Sequence, residues 1–363
     1  SRRCSMSSKR WLAPWKDSAE KPAIYHCISR VVDRRFVFEE TEREKFRAFM
    51  RMQENFSGCR ILSYCLMSNH IHLLLEVPPM PADGITDAEL LKRLSAIQTE
   101  AFVAVVAKEL SDARKAGNAA LVAEIHARFT YRMHDLSEFM KTVLQRFTRW
   151  FNRTHNRTGT LWEERYKSVI VESGIAARTM AAYIDLNPVR AGMVSDPAEY
   201  RWSSYGEAVG GGPRGNGKKA REGLVRACMS HQGAGFEAEK WKEISRIYRR
   251  AMGLALERKS RKATVEKGVA RAQTKHLNTA EALEAKENGT VLPDLGMAEM
   301  LRCRVRYFTD GAVIGSKAFV NEAFAGARER FSSRRKDGAR KLRGSARPAA
   351  NLLWSARDLR LRV

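Results

Sequence analysis

Residues 59–77 read CRILSYCLMSNHIHLLLEV, and this stretch decides the fold. Cys59 to Met67 and His70 to Val77 are apolar and rich in strand-forming residues, and the short Met67-Ser68-Asn69 turn joins them, so the stretch predicts a β-hairpin. The second strand opens on His70-Ile71-His72. Residues i and i+2 of a strand face the same way, about 7 Å apart, so two imidazoles so placed can grip one cation. Leu73, Leu74 and Leu75 follow, which sets the histidines at the entry of a buried strand. Two strand histidines that merely hydrogen-bond their neighbours would look the same, and a bare His-x-His does not choose between the two.

Working outward, Ala23 to Val32 (AIYHCISRVV) predicts a first strand bounded by Pro22. Thr41 to Phe56 predicts a helix: Thr41 as N-cap, Glu44 completing a capping box, and Phe46, Phe49 and Met50 as its apolar stripe. Pro78 to Gly84 is a loop. Two charged stretches, Asp87 to Leu110 and Asp112 to Arg128, have the look of a helical insertion spanning about residues 81–134. Ser137 to Asn152 is strongly amphipathic, with Phe139, Met140, Val143, Leu144, Phe147 and Phe151 at helical spacing. Leu161 to Glu172 predicts a fourth strand, and Ile175 to Leu186 a helix that ends near Pro188. Without the insertion the order is β-α-β-β-α-β plus a terminal helix. That predicts an α+β fold with a ferredoxin-like antiparallel sheet and helices on one side.

The predicted organisation is a domain over residues 22–205, a glycine-rich linker over 206–220, a mainly helical basic region over 221–291 and a C-terminal module over 292–347. Within the basic region, Glu237 to Lys259 predicts a helix; Ser260 to Thr290 is polar and weakly patterned. Within the module, Leu292 to Phe331 predicts a compact piece, with Asp310-Gly311 as a turn and Ser316 capping a helix through Phe331. Arg328 to Arg347 carries nine basic residues against two acids and predicts a flexible arm on a phosphate backbone.

Charge narrows the function. Lys and Arg number 65 against 41 Asp and Glu, a net charge of +24. A chain that basic is expected to meet a polyanion, most commonly nucleic acid. None of the six cysteines stands in a Cys-x-x-Cys pair, so they read as core residues of a reducing compartment rather than a disulfide framework. No apolar run approaches the ~18 residues of a membrane span. Ser1 to Lys16 has no apolar signal core. The expectation is a cytoplasmic, nucleoid-associated protein with no membrane partner.

Two further stretches can carry chemistry. In Tyr183-Ile184-Asp185-Leu186-Asn187-Pro188-Val189-Arg190, Tyr183 and Asn187 are four residues apart and share a helical face. A phenol is a poor nucleophile at neutral pH unless a nearby cation stabilises the charge that develops. Asn187 could lend an amide oxygen to such a cation. The plain alternative is a helix end with a tyrosine packed on the sheet. The second stretch, residues 158–168 (TGTLWEERYKS), mixes aromatics and cations as surfaces for unpaired bases do. There Arg165 and Lys167 can meet phosphates while Trp162 or Tyr166 stacks, or Trp162 simply fills the core. Arg30, Arg34 and Arg35 follow the first strand and can hold phosphates or remain solvated; Arg190 is a further candidate for a DNA contact. His26, Glu76 and Asp185 stand near these stretches without an assigned role.

Taken in order, IYHCISR, LMSNHIHLLLEVP, GTLWEERYKS and YIDLNPVRAG resemble the tyrosine transposases associated with repetitive extragenic palindromes, within the IS200-like class of His-hydrophobic-His single-tyrosine nucleases. The resemblance spans about Pro22 to Tyr205. It implies that His70 and His72 are metal ligands, Asn187 the third ligand where related enzymes carry Gln, and Tyr183 the nucleophile. It implies Mg²⁺ or Mn²⁺, although two imidazoles alone would favour zinc or a later transition metal. It further implies single-stranded DNA with hairpins as substrate, cut through a 5′-phosphotyrosine, by a monomer or homodimer. The alternative is a domesticated protein that holds hairpin DNA without cutting it. An RNA-binding sheet would need exposed aromatics on its central strands, and Tyr25 is the best candidate on the first.

Overall fold

The computed structural model describes residues 11–19, 21–210, 217–229, 238–252, 306–309, 312–331, 333–341 and 353–356. The chain separates into two compact units. One is Leu12–Ser168; the other joins Trp11 to the described residues from Val169 onward.

In the first unit, β1 (Ala23–Arg30), β2 (Arg60–Leu66) and β3 (His70–Val77) form an antiparallel sheet with β3 in the middle. The hairpin turn is closed by the Met67 amide donating to the His70 carbonyl at 2.9 Å. A bulge between Ile61 and Ser63 shifts the β2 register. α1 (Glu40–Ser57) packs against α5 (Leu136–Thr154). Phe38, Phe46 and Phe147 from this side meet Trp162 in tilted and edge-on contacts, forming an aromatic cluster. The capping box of α1 lies two residues earlier than expected. Glu39 and Glu42, not Thr41 and Glu44, exchange side-chain bonds with each other's backbone amides, because the chain is already extended at Glu39.

The insertion holds three helices where two were expected: α2 (Asp87–Leu94), α3 (Glu100–Lys115) and α4 (Ala119–Thr130). Thr86, Thr99 and Asn118 cap them with side-chain bonds. They own a small core of Leu90, Leu94, Val106, Leu110 and Ile125, which closes over Phe56 at the end of α1.

In the second unit β4 (Lys167–Val171) pairs in parallel with β5 (Val313–Gly315), and β7 (Trp354–Ala356) pairs antiparallel with both β5 and β6 (Arg340–Lys341). β4 is shorter than the predicted Leu161–Glu172, since Trp162 forms only an isolated bridge to Val31. α6 (Ile175–Asp185) is buried from Ala176 onward. It is followed by a one-turn helix, α7 (Asn187–Arg190); Pro188 therefore opens a new turn instead of closing the old one, as its missing N–H permits.

The two ends of the expected 206–220 linker are helical, in α8 (Ser204–Gly210) and α9 (Gly217–Cys228), which pack on each other, and residues 211–216 lie outside the described residues. Gly206 is there because α8 presses on the backbone: a Cβ would fall 1.9 Å from the Tyr200 carbonyl oxygen. α10 (Ala238–Ala251) lies within the predicted Glu237–Lys259 helix, α11 covers Arg306–Thr309, and Ser316 caps α12 (Lys317–Ala325) as expected, although this helix ends at Ala325 rather than running through Phe331. Arg340 and Lys341 sit in a strand, so this part of the basic tail is no flexible arm. The Asp310-Gly311 turn and the stretch 260–290 lie outside the described residues. The α+β class is as predicted, and β1-α1-β2-β3-α5-β4-α6 appears in the expected chain order once the insertion is set aside. Among the described residues no helix is long and apolar enough to cross a membrane.

Candidate active-site residues

β3 alternates, so His70, His72, Leu74 and Glu76 share one face of the sheet. His26 on β1 faces Leu74 across the ladder and lies on that same face, one step diagonal from His72. Three imidazoles thus cluster. The His70 and His72 ring centroids are 4.9 Å apart at 77°, and those of His26 and His72 are 5.2 Å apart and stacked. His72 and His26 are buried; His70 is half-buried.

The neighbour of His70 fixes which of its nitrogens carries the proton, and that of His72 depends on its bond with His26. Asn69 donates its Nδ2 to the Arg34 carbonyl at 3.0 Å, which leaves its Oδ1 toward His70 Nδ1 at 2.7 Å. His70 must therefore carry its proton on Nδ1, and its lone pair sits on Nε2. His72 Nδ1 lies 3.0 Å from His26 Nε2. With the proton on His72 Nδ1, His72 likewise keeps its lone pair on Nε2. Metal-binding histidines are held in the same way, through a hydrogen bond at the nitrogen away from the ion. Among the described residues no three His, Cys, Asp or Glu side chains converge as a ready metal cage. The two imidazoles by themselves offer a pair of nitrogen donors from one strand face.

Tyr183 and Asn187 stand in the second unit, at the C-terminal end of α6. Asn187 donates Nδ2 to the carbonyls of Tyr183 and Ile184, both at 3.1 Å, so Oδ1 is the end of the amide turned away from the helix. The sequence placed Asn187 where its side chain could swing; the structure holds it against the last turn of α6. Tyr183 is only 2% exposed. Its ring stacks on Phe308 at 4.5 Å and lies under the Arg190 guanidinium at 4.7 Å. Arg190 Nη1 is buried and meets no hydrogen-bond acceptor among the described residues. A buried cationic donor in that state is costly unless an acceptor arrives, and a phosphate oxygen is the acceptor a guanidinium fits best.

Asp185, between Tyr183 and Asn187, points elsewhere. Tyr248 donates its hydroxyl to Asp185 at 2.7 Å and the Tyr205 amide donates at 2.9 Å. Burial pushes its carboxyl up to about 7 despite these bonds. It serves to dock α10 on α6. Glu76, also unassigned, is fully buried and lies 3.5 Å from Arg60.

The remaining candidates divide by exposure. Arg30, Arg34 and Arg35 are exposed and form no ion pair among the described residues. Trp162 donates Nε1 to Thr148 and lies in the aromatic cluster, and Tyr166 is buried, so both rings are turned inward while Arg165 and Lys167 are exposed. Tyr25 is 1% exposed, which removes the aromatic an RNA-binding sheet would offer.

Residues 20–88 match the family model "Transposase IS200 like". This IS200-like segment contains His26, the arginine loop, Asn69, His70 and His72, and ends within α2; it does not reach Tyr183 or Asn187. No curated protein matches the chain significantly. Among solved structures, a REP-associated tyrosine transposase bound to a REP hairpin aligns with 12% identity and a TM-score of 0.35, over 63% of this chain and 93% of that one. So distant a likeness locates no residue here. His26 and Asn69, which orient the histidine pair, went unassigned in the sequence. The signal available was the Asn immediately before His70 and a histidine on the partner strand.

Proposed function

We propose that this protein is a transposase-type enzyme that nicks and rejoins single-stranded DNA carrying hairpins. The observation that supports the reading is the histidine pair of the IS200-like segment: Asn69 bonds His70 Nδ1 and turns its Nε2 to a ligand, and a proton on His72 Nδ1, shared with His26, would do the same for His72. His70, His72 and Asn187 would hold one Mg²⁺ or Mn²⁺ ion, whose chemistry is to withdraw charge from the scissile phosphate.

In this reading the Tyr183 oxygen attacks phosphorus, and the bond from phosphorus to the 3′-oxygen breaks. The phenolic proton is matched by the one gained on the departing 3′-hydroxyl. One phosphodiester is exchanged for one 5′-phosphotyrosine, so no external energy source is needed, and attack by another 3′-hydroxyl reverses the step. Arg190 supplies its buried Nη1 to the phosphate beside the Tyr183 ring. Arg30, Arg34, Arg35, Arg165 and Lys167 hold the flanking backbone.

The test is incubation of the purified protein with labelled hairpin single strands and Mg²⁺ or Mn²⁺. A covalent adduct that disappears in Tyr183→Phe and on chelation supports the reading. A second reading, hairpin binding without cleavage, is favoured by one observation: Tyr183 is covered by Phe308. Tight binding with no adduct under any of these conditions would establish it instead.

A further inference from the structure

Phe36 is the most exposed large apolar side chain among the described residues, at 79%. A single exposed apolar residue is ordinary; the setting of this one is not. It follows Arg34 and Arg35 and stands in the loop that begins after Arg30, and none of these three cations has an ion-pair partner among the described residues. The ring itself meets no other ring and no cation there.

The backbone beneath it is held. Asp33 and Arg34 take left-handed conformations, with φ of 57° and 54°, at residues that rarely adopt them. The Val37 and Phe38 amides both donate to the Ser68 carbonyl, at 3.1 and 3.0 Å. The Arg34 carbonyl accepts from Asn69, the same side chain that bonds His70. Phe38, two residues on, is buried in the aromatic cluster. Phe36 is thus displayed from a loop pinned to the hairpin turn that carries the histidine pair, on strained backbone of the kind found at functional sites.

An open π-face amid unpaired guanidinium groups is the composition of a stacking platform for single-stranded nucleic acid. Duplex bases hide their faces from such a ring; unpaired bases do not. We infer that Phe36 stacks on an unpaired base of the DNA strand, with Arg30, Arg34 and Arg35 on its phosphates, and so sets which nucleotide stands next to the histidine pair. This rests on the transposase reading and adds a base-binding subsite to it.

The experiment measures binding of the full chain, without divalent metal, to hairpin strands bearing the fluorescent base 2-aminopurine at successive unpaired positions. The wild type and Phe36→Trp should quench one position strongly. Phe36→Ala should lose that quenching and bind about tenfold more weakly, with binding to a plain duplex unchanged. Phe36→Leu, equally apolar, should behave as Phe36→Ala. Normal quenching and affinity in Phe36→Ala, or a Leu variant equal to wild type, overturns the subsite while the adduct assay of the transposase reading still stands. A wild-type protein that binds no single strand overturns both, and preferential stacking of an RNA strand overturns the assignment to DNA.

Discussion

His72 Nδ1 lies 3.0 Å from His26 Nε2 across two adjacent strands, with the imidazole planes 13° apart. One proton lies between the two rings, and its side determines whether His72 offers a lone pair or an N–H on its other nitrogen. His26 is thereby a positioning residue for the proposed ligand. His26→Ala should weaken Mn²⁺ binding by about 10–100-fold, the range seen when an outer partner of a metal-binding histidine is removed. Titration of the protein with Mn²⁺, followed by its paramagnetic signal, reads this directly. Circular dichroism checks that the sheet persists. Equal Mn²⁺ affinity in the folded variant would remove His26 from the site.

Arg190 places its guanidinium over the Tyr183 ring with Nη1 unsatisfied. Arg190→Ala should slow adduct formation by on the order of 100-fold, as loss of a preorganised donor to a reacting phosphate does, with hairpin affinity changed far less. Single-turnover adduct rates at saturating protein separate the two effects. A variant that loses affinity and keeps its rate would make Arg190 a plain backbone contact.

Asp185 gives the fold a pH dependence. Its carboxyl is raised by burial from 3.8 to about 7. Between those values the native protein keeps a proton that the unfolded chain has released. Stability therefore falls as pH rises from about 4 to about 7 and levels off above. Asp185→Asn, which can still accept from the Tyr205 amide and donate to the Tyr248 hydroxyl, should remove that slope. It should be more stable than wild type at pH 8 by on the order of 3 kcal/mol. Urea unfolding at pH 4, 6 and 8 measures it; parallel profiles for the two proteins would contradict the assignment.

Gly206→Ala should destabilise the second unit by roughly 3 kcal/mol, because its Cβ meets Tyr200 backbone atoms that cannot step aside as a side chain could. Gly210→Ala, with nothing within 4 Å of the added atom, is the matched control. The pair of melting temperatures decides: a similar small change in both would mean that α8 can shift away from Tyr200.

Much of this was legible in the residues. Strand and helix periods placed β1, β3, α5 and α6 to within a few residues, since each buries a continuous apolar face. His70 and His72 were legible because alternation on a strand fixes a shared face. What periodicity could not deliver was anything set by contacts between distant residues. Trp162 reads equally as a stacking ring or a core ring; only its bond to Thr148 and its neighbours Phe38 and Phe147 decide. Gly206 reads as a linker residue because glycine in a helix is uncommon, and the close approach of Tyr200 is invisible in sequence. His26 and Asn69 stayed without a role for the same reason: their meaning is a partner on another strand or in another loop.

His134 closes the insertion. Its ring donates Nδ1–H to the Pro78 carbonyl at 2.9 Å and lies 3.1 Å from Arg93 on α2, while its backbone amide donates to the Ser57 carbonyl at 2.8 Å. Entry and exit of the three-helix segment are therefore buckled side by side. Such a segment can lengthen, shorten or be swapped during descent without disturbing the strand before it or the helix after it, provided Phe56 finds another roof. The three-helix segment is thus attached where a change in its length is structurally silent.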